Sequence, residues 1–153
     1  MKTLVVYDSL YGNTEAVAKK IAASLKGKVL HVDEVIAGDM EDIDLLVIGS
    51  PTQGGRPTQK ISDFVNQISP KLSGKIKFAS FDTRLDVKDL GLFLKILVKT
   101  IGYASPKISD KLKSKGRKTI SDPEGFIVNG KEGPLKKGEL ERASAWANRI
   151  IAH

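Results

Sequence analysis

The sequence predicts a three-layer α/β sandwich around a parallel sheet, and three observations carry that expectation. Short continuous apolar runs recur along the chain, amphipathic helical stretches fall between them, and hairpin signals are few. Runs without polar alternation mark strands covered on both faces, as in a parallel sheet flanked by helices.

The elements follow in order. Thr3 to Tyr7 (TLVVY) is the first such run. Val17, Ala18, Ile21, Ala22 and Leu25 then lie on one helical stripe, and Gly27 marks its stop. Lys28 to Val32 (KVLHV) and Asp44 to Gly49 (DLLVIG) read as the next strands, joined by an acidic connector. Ile61, Phe64, Val65 and Ile68 keep the i, i+3, i+4, i+7 spacing of a helix between Pro57 and Pro70. Lys75 to Phe81 (KIKFASF) is the fourth strand. Leu90, Phe93, Leu94, Leu97, Val98 and Ile101 make the core stripe of a three-turn helix, with Leu92 and Ile96 outside it beside Lys95 and Lys99. Pro106 ends that helix or begins another. Ile108 and Leu112 mark a short basic helix before Gly116. Lys118 to Ile120 and Phe126 to Val128 form a last strand interrupted at Asp122 and Pro123, and Leu140, Ala143, Ala147, Ile150 and Ile151 belong to the closing helix.

At 153 residues and 16.6 kDa, the expectation is one domain spanning 1–153. The chain has no cysteine, which removes disulfides, thiolate nucleophiles, iron–sulfur clusters and Cys-based zinc sites. With His31 and His153 as its two histidines, it predicts neither a metal centre nor a Ser/His/Asp triad. Redox chemistry would therefore need a bound organic cofactor. An N-terminus without a signal-peptide core, and the absence of any run near 18 apolar residues, predict a soluble cytoplasmic protein.

Net charge is +7, and its placement is uneven. Residues 84–118 hold ten basic side chains against Asp86, Asp89 and Asp110, while the rest of the chain balances. Six acids between Asp33 and Asp44 meet no basic residue, so the molecule is expected to be a charge dipole. No aromatic residue interleaves the basic run 107–118, which argues against nucleic acid.

Ligands of open α/β sheets sit outside the carboxyl ends of the strands, where three loops look built. Asp8-Ser9-Leu10-Tyr11-Gly12-Asn13-Thr14 places short hydrogen-bonding side chains around a glycine just before a helix, a setting for an anion held without a cation. Read alone, it also fits a plain N-cap at Asn13 or Thr14. Gly49 to Thr58 (GSPTQGGRPT) carries three glycines, and Gly54-Gly55 lets the backbone approach a planar ligand. Read alone, it also fits a strand-to-helix connection capped by Thr58. Phe81-Asp82-Thr83-Arg84 closes the fourth strand with polar residues where a bare turn would do.

Together these segments resemble the flavodoxin family, and the resemblance runs the whole chain. VVYDSLYGNTEAVAKKIA is similar to the family's phosphate loop and first helix, DLLVIGSPTQGG to its second flavin loop, SFDTR to its third, and PEGFIVNGKEGPLKKGELERASAWANRI to its closing strand, loop and helix. The resemblance implies a flavodoxin-like sandwich with a five-stranded parallel sheet in the order 2-1-3-4-5. It also implies noncovalent flavin mononucleotide (FMN) and single-electron transfer between redox proteins. Ser9, Tyr11, Gly12, Asn13 and Thr14 would hold the phosphate, Pro51, Thr52, Gln53, Gly54 and Gly55 the isoalloxazine, and Asp82, Thr83 and Arg84 its other side. Aromatic rings usually stack on the flavin in this family, and Tyr11, Phe81 and Tyr103 are the candidates here. Arg56 and Arg84 would flank it. No catalytic residue and no metal ligand is assigned.

A receiver domain would need an acceptor Asp where Gly49-Ser50-Pro51 stands, and no Gly-x-x-x-x-Gly-Lys-Ser/Thr loop is present. Two alternatives to the carrier remain: a flavodoxin-like oxidoreductase acting directly on a quinone or protoporphyrinogen, and a binding module that has lost the flavin. The basic, apolar stretch from 84 to 118 suggests redox partners with acidic docking surfaces, or contact with an anionic membrane surface.

Overall fold

The computed structural model describes residues 1–68 and 72–152, so Pro70 and His153 lie outside the described residues. Among those residues the chain order is β1 (Thr3–Tyr7), α1 (Asn13–Leu25), β2 (Lys28–His31), β3 (Leu45–Pro51), α2 (Gln59–Ile68), β4 (Lys77–Leu85), α3 (Leu92–Ile101), α4 (Ala104–Ser114), β5 (Glu124–Val128) and α5 (Glu139–Ile151). The strands form one sheet in the order β2-β1-β3-β4-β5, every neighbouring pair parallel. Both the α/β class and the 2-1-3-4-5 order expected from the sequence are therefore found.

The alternation of each strand decides which layer a residue joins. Val5, Tyr7, Leu45, Val47, Ala79 and Phe81 face α1 and α5, where Ile21, Trp146 and Ile150 meet them. Leu4, Val6, Leu46, Ile48 and Phe78 face α2 and α4, against Ile61, Val65, Ile108 and Leu112. Trp146, Phe81 and Phe126 pack as mutual edge-to-face pairs with centroids 6.1–6.4 Å apart, a geometry that aromatic quadrupoles favour. Phe81 also fills the space where Gly49 lacks a side chain: a Cβ there would sit 2.0 Å from its ring.

Three sequence expectations are corrected. First, β4 runs beyond Phe81 to Leu85, because its register with β5 continues from Phe81↔Glu124 to Leu85↔Val128. The third loop is thus the end of a strand. Second, Lys118 to Ile120 is not part of β5; Thr119 makes an isolated bridge to Phe78. Third, α3 is not a core helix. None of its residues is buried, because α4, with Ala104, Ser105, Ile108 and Leu112 buried, fills the layer over β4 instead. In α5 the buried apolar set is Ala143, Trp146, Ala147 and Ile150, with Leu140 and Ile151 exposed.

The last helix is clamped to β5 through its first turn. Glu139 accepts from the Ile127 amide at 2.6 Å and from Arg142 Nη2 at 2.8 Å, while Arg142 also reaches Glu124 and the Gly125 carbonyl and lies over the Phe126 ring. Burial alone would raise the Glu139 carboxyl, but the Arg142 and Ile127 hydrogen bonds outweigh it and hold it below its ordinary 4.5. A depressed carboxyl contributes stability above its unfolded value and loses it as pH falls through the folded value. Glu139→Gln should therefore lower stability by about 1–3 kcal/mol at neutral pH. Urea denaturation should show that gap closing in acid below 4.5, and a gap that persists there would contradict the assignment.

Candidate functional site

The parallel connectivity brings the carboxyl ends of β1, β3, β4 and β5 to one edge, and a cleft of about 100 Å³ opens there. Ser9, Tyr11, Asn13, Thr14, Thr52 and Thr83 are among its lining. It adjoins an apolar cavity of about 200 Å³ beneath α3, with which it shares Thr52, Arg84 and Leu85. A larger groove of about 510 Å³ lies between α2 and α4 and reaches the second loop at Arg56 and Pro57.

The first loop leaves backbone amides and hydroxyl protons without partners inside the loop. Gly12 precedes α1 at φ +89°, a conformation that suits glycine. The helix's own first hydrogen bond runs from Ala16 N–H to Gly12 C=O, so the Asn13 and Thr14 amides have no intrahelical acceptor. Ser9 Oγ accepts from the Gly12 and Glu15 amides at 3.1 and 3.4 Å. With both lone pairs used, its hydroxyl proton is left to donate outward. Thr14 Oγ1 lies 2.8 Å from Thr83 Oγ1; one hydroxyl donates to the other, which leaves one proton for a ligand. Asn13 does not cap the helix. Its Nδ2 donates to the Glu132 carbonyl at 3.0 Å, tying the first loop to the one after β5.

Behind this loop, Asp8 accepts from the Ser9 amide at 2.9 Å and faces His31 Nε2 at 3.0 Å. Burial first, and a hydrogen bond to Glu15 second, push the Tyr7 phenol up to about 12. Glu15, held low chiefly by Lys19 and also by Tyr7, is engaged away from the anion position.

The second loop is a two-residue hairpin turn. Gln53 and Arg56 exchange both backbone hydrogen bonds at 2.9 Å, and Gly54 and Gly55 stand at φ +54° and +77°, as a type I′ turn requires. Thr58 does cap α2, accepting weakly from Ile61 N–H at 3.4 Å. The turn is tied to α3: a Cβ on Gly55 would lie 2.0 Å from Ile101 Cγ2. Lys107 Nζ donates to both the Gly55 carbonyl at 2.6 Å and the Ile101 carbonyl at 2.7 Å. Thr52 N–H donates to the Thr83 carbonyl, and Thr52 Oγ1 accepts from Ala104 N–H at the start of α4.

The third segment divides by strand alternation. Thr83 reaches the cleft, but the Asp82 side chain is fully buried on the opposite face, so it does not line the cleft as expected. It holds Arg84 through two 2.7 Å hydrogen bonds and accepts from the Ser105 amide at 2.8 Å. The Arg84 guanidinium stacks 3.6 Å from the Tyr103 ring centroid and crosses Gly125, where a Cβ would lie 2.2 Å from it. Arg84 is thus a neutralised wall rather than a free cation. Phe81, in the core, is unavailable for stacking on a ligand; Tyr11, exposed, and Tyr103, under Arg84, remain. Sequence reasoning missed Lys107, Leu85 and the loop after β5, where Lys131 borders the cleft. The signal was present in Asn129-Gly130-Lys131-Glu132-Gly133-Pro134, a turn-rich stretch after the last strand.

The comparisons bear on what such a cleft is. A family model described as "Flavodoxin domain" matches residues 4–119. The chain belongs to the flavodoxin family. It is 37% identical over 81 residues to a flavodoxin of Aquifex aeolicus, covering 49% of this chain and 44% of that protein, so the match spans less than half of that relative. It is 29% identical over 123 residues to an uncharacterised protein of Methanocaldococcus jannaschii, covering 80% and 73% of the two. A solved flavodoxin from the Archaea superposes with a TM-score of 0.76 at 19% identity, covering 99% and 97% of the two chains, a likeness of fold. Membership of the flavodoxin family implies a flavin.

Removing the Arg84 charge should leave Asp82 buried and unpaired. Arg84→Gln is expected to cost about 3–5 kcal/mol, with much of it recovered in the Asp82→Asn, Arg84→Gln double variant. Denaturant titration measures both, and equal losses in the two would show that the pair is not what holds this wall.

Proposed function

We propose that the chain is an FMN-binding single-electron carrier that passes electrons between redox proteins. The observation that carries this reading is the first loop: free amides at Asn13 and Thr14, an outward hydroxyl at Ser9 and the Thr14–Thr83 pair, with no cationic side chain among them. That donor set fits a phosphate monoester, since charge-assisted hydrogen bonds contribute roughly 1.5–3 kcal/mol each. Lys131, at the rim, supplies a positive charge beside it. The adjoining apolar cavity and the Gly54-Gly55 turn fit a planar ring attached to that phosphate.

In this reading, bound FMN supplies the one-electron chemistry, and the chain supplies position and environment. Ser9, Gly12, Asn13 and Thr14 hold the phosphate and Tyr11 borders it. Pro51 to Gly55 present backbone to the ring, with Gln53 on the exposed edge of the turn. Thr83 and Arg84 wall the other side, and Asp82 keeps Arg84 in place. Lys107 positions the Gly55 carbonyl and so sets how that backbone meets the ring. Basic residues Lys88, Lys95 and Lys99 favour partners with acidic docking surfaces, through association rate more than affinity. A cytoplasmic place and a single domain over 1–153 belong to the same proposal.

The cavity beneath α3, lined by Leu85, Leu90, Leu97, Val98, Ile101 and Tyr103, favours a second reading. There the same flavin acts directly on an apolar ring compound such as a quinone or a protoporphyrinogen. Turnover of such a compound without a protein partner would select it over the carrier.

Ser9→Ala with Thr14→Val should weaken FMN binding by about 3 kcal/mol or more, with riboflavin binding little changed because it lacks the phosphate. Calorimetric titration of both ligands decides it; unchanged FMN affinity in the double variant would overturn the phosphate assignment. Lys107→Met should shift the one-electron potentials of the loaded protein and increase amide exchange at Gly54 to Arg56, while FMN affinity changes less than tenfold. Unmoved potentials and exchange would show that the lysine positions nothing.

A further inference from the structure

We infer that α3 is an interfacial membrane-docking helix for an anionic lipid surface, a role beyond the carrier reading and independent of it. The argument starts from a helix that is apolar almost all round: seven of its ten residues, LFLKILVKTI, are Leu, Ile, Val or Phe. Such helices are normally buried in a core or in lipid. Here Phe93 and Leu92 are 77% and 76% exposed and Ile96 58%. Even on the side toward the cavity, Leu94, Leu97 and Ile101 remain exposed. The charges on the helix itself are of one sign, since α3 carries Lys95 and Lys99 and no acid.

What could cover this surface is narrowed by its shape and charge. A second copy, docked about a twofold axis, would bring the same patch and the same lysines together. The face of an acidic protein would match the lysines, but it would dry only one side of a helix exposed on both. A bilayer offers anionic headgroups outside and hydrocarbon beneath, which is the order in which the lysines and the Leu92, Phe93 and Ile96 side chains need them. Ten residues rise only about 15 Å, and among the described residues no helix is long and apolar enough to cross a membrane. The helix would therefore lie in the interface. Its anchorage suits that: it begins after Gly91 and ends at Gly102 at φ +84°, with Ile101 seated on Gly55. Docking through α3 would hold the strand-end cleft close to the lipid surface.

Co-sedimentation of the full chain with vesicles tests this, using equimolar phosphatidylglycerol and phosphatidylcholine against phosphatidylcholine alone. Because protein is measured directly, the result does not depend on whether FMN binds. The expected result is binding to the anionic vesicles at least tenfold tighter than to the neutral ones. Leu92→Ser, Phe93→Ser, Ile96→Ser together should lose at least tenfold at every salt concentration. Lys95→Glu with Lys99→Glu should lose tenfold or more at low salt, about fivefold per lysine removed, and the loss should shrink as salt rises. None of these five positions is buried, so the core is left untouched, and the thermal transition of each variant checks that it folds. Failure to bind anionic vesicles, or equal binding by both variants, would overturn the proposal. So would a wild-type dimer in gel filtration that Phe93→Ser converts to monomer, which would assign the patch to a second copy.

Discussion

Strand β4 has to be dry on both faces and still end in a polar cleft, and much of the architecture follows from how it meets both demands. From Phe78 to Thr83 every residue is buried, so each polar side chain in that stretch needs a partner. Ser80 donates to the Ser105 carbonyl, Asp82 takes the Ser105 amide and Arg84, and Thr83 pairs with Thr14. Because alternation sends odd residues toward α1 and even ones toward α4, one strand secures the starts of two helices on opposite faces. The cleft sits between those starts. Its geometry is therefore set by buried polar contacts rather than by loop length, which is why loops so rich in glycine can hold definite conformations.

Two close approaches make this arrangement sterically feasible. Phe81 occupies the volume beside Gly49, and Arg84 the volume beside Gly125. Both glycines sit in strands flanking β4, so the β4 side chains extend sideways over their neighbours instead of straight into a helix. The consequence reaches the site. Phe81, laid flat in the α1–α5 layer, belongs to the core, while Arg84 is free to stack on Tyr103 and close the side of the cleft.

The fold was legible because its cue is local: apolar runs such as TLVVY and LLVIG announce strands covered on both faces. The turn before α1 was legible from its glycine, but the residue that precedes the helix is Gly12 itself rather than Asn13 or Thr14, because Gly12 takes the left-handed conformation there. Asp82 was misread because the strand's true end, Leu85, depends on pairing with β5, and a polar residue near a strand end looks like loop until that pairing is known. Lys107 contributes through backbone carbonyls 52 and 6 residues away, a relation that no spacing announces. α3 was misread for a different reason. Periodicity records which residues avoid water, not what they meet instead, and the layer over β4 was already taken by α4.

Charge shows the same gap between count and placement. The excess of +7 counted in residues 84–118 includes Arg84, cancelled by Asp82, and Lys107, spent on two carbonyls. The acidic segment is also partly paired within the molecule: Lys60 and Lys28 lie 2.5 Å from Asp33 and Asp39 and help hold those carboxyls low. The field at the cleft is accordingly weaker than the sequence suggests, and the proposed anion position would depend on amides and hydroxyls, whose effect reaches only to hydrogen-bond distance. Of the other basic side chains in that stretch, Lys95 and Lys99 lie on α3 and Lys111 and Lys113 on α4, where they act over a Debye length on whatever approaches, while Lys115 and Arg117 donate to the Asn66 and Leu72 carbonyls. In the proposed reading, recognition of a small anion and attraction of a large one would fall to different parts of the molecule, so that neither need compromise the other.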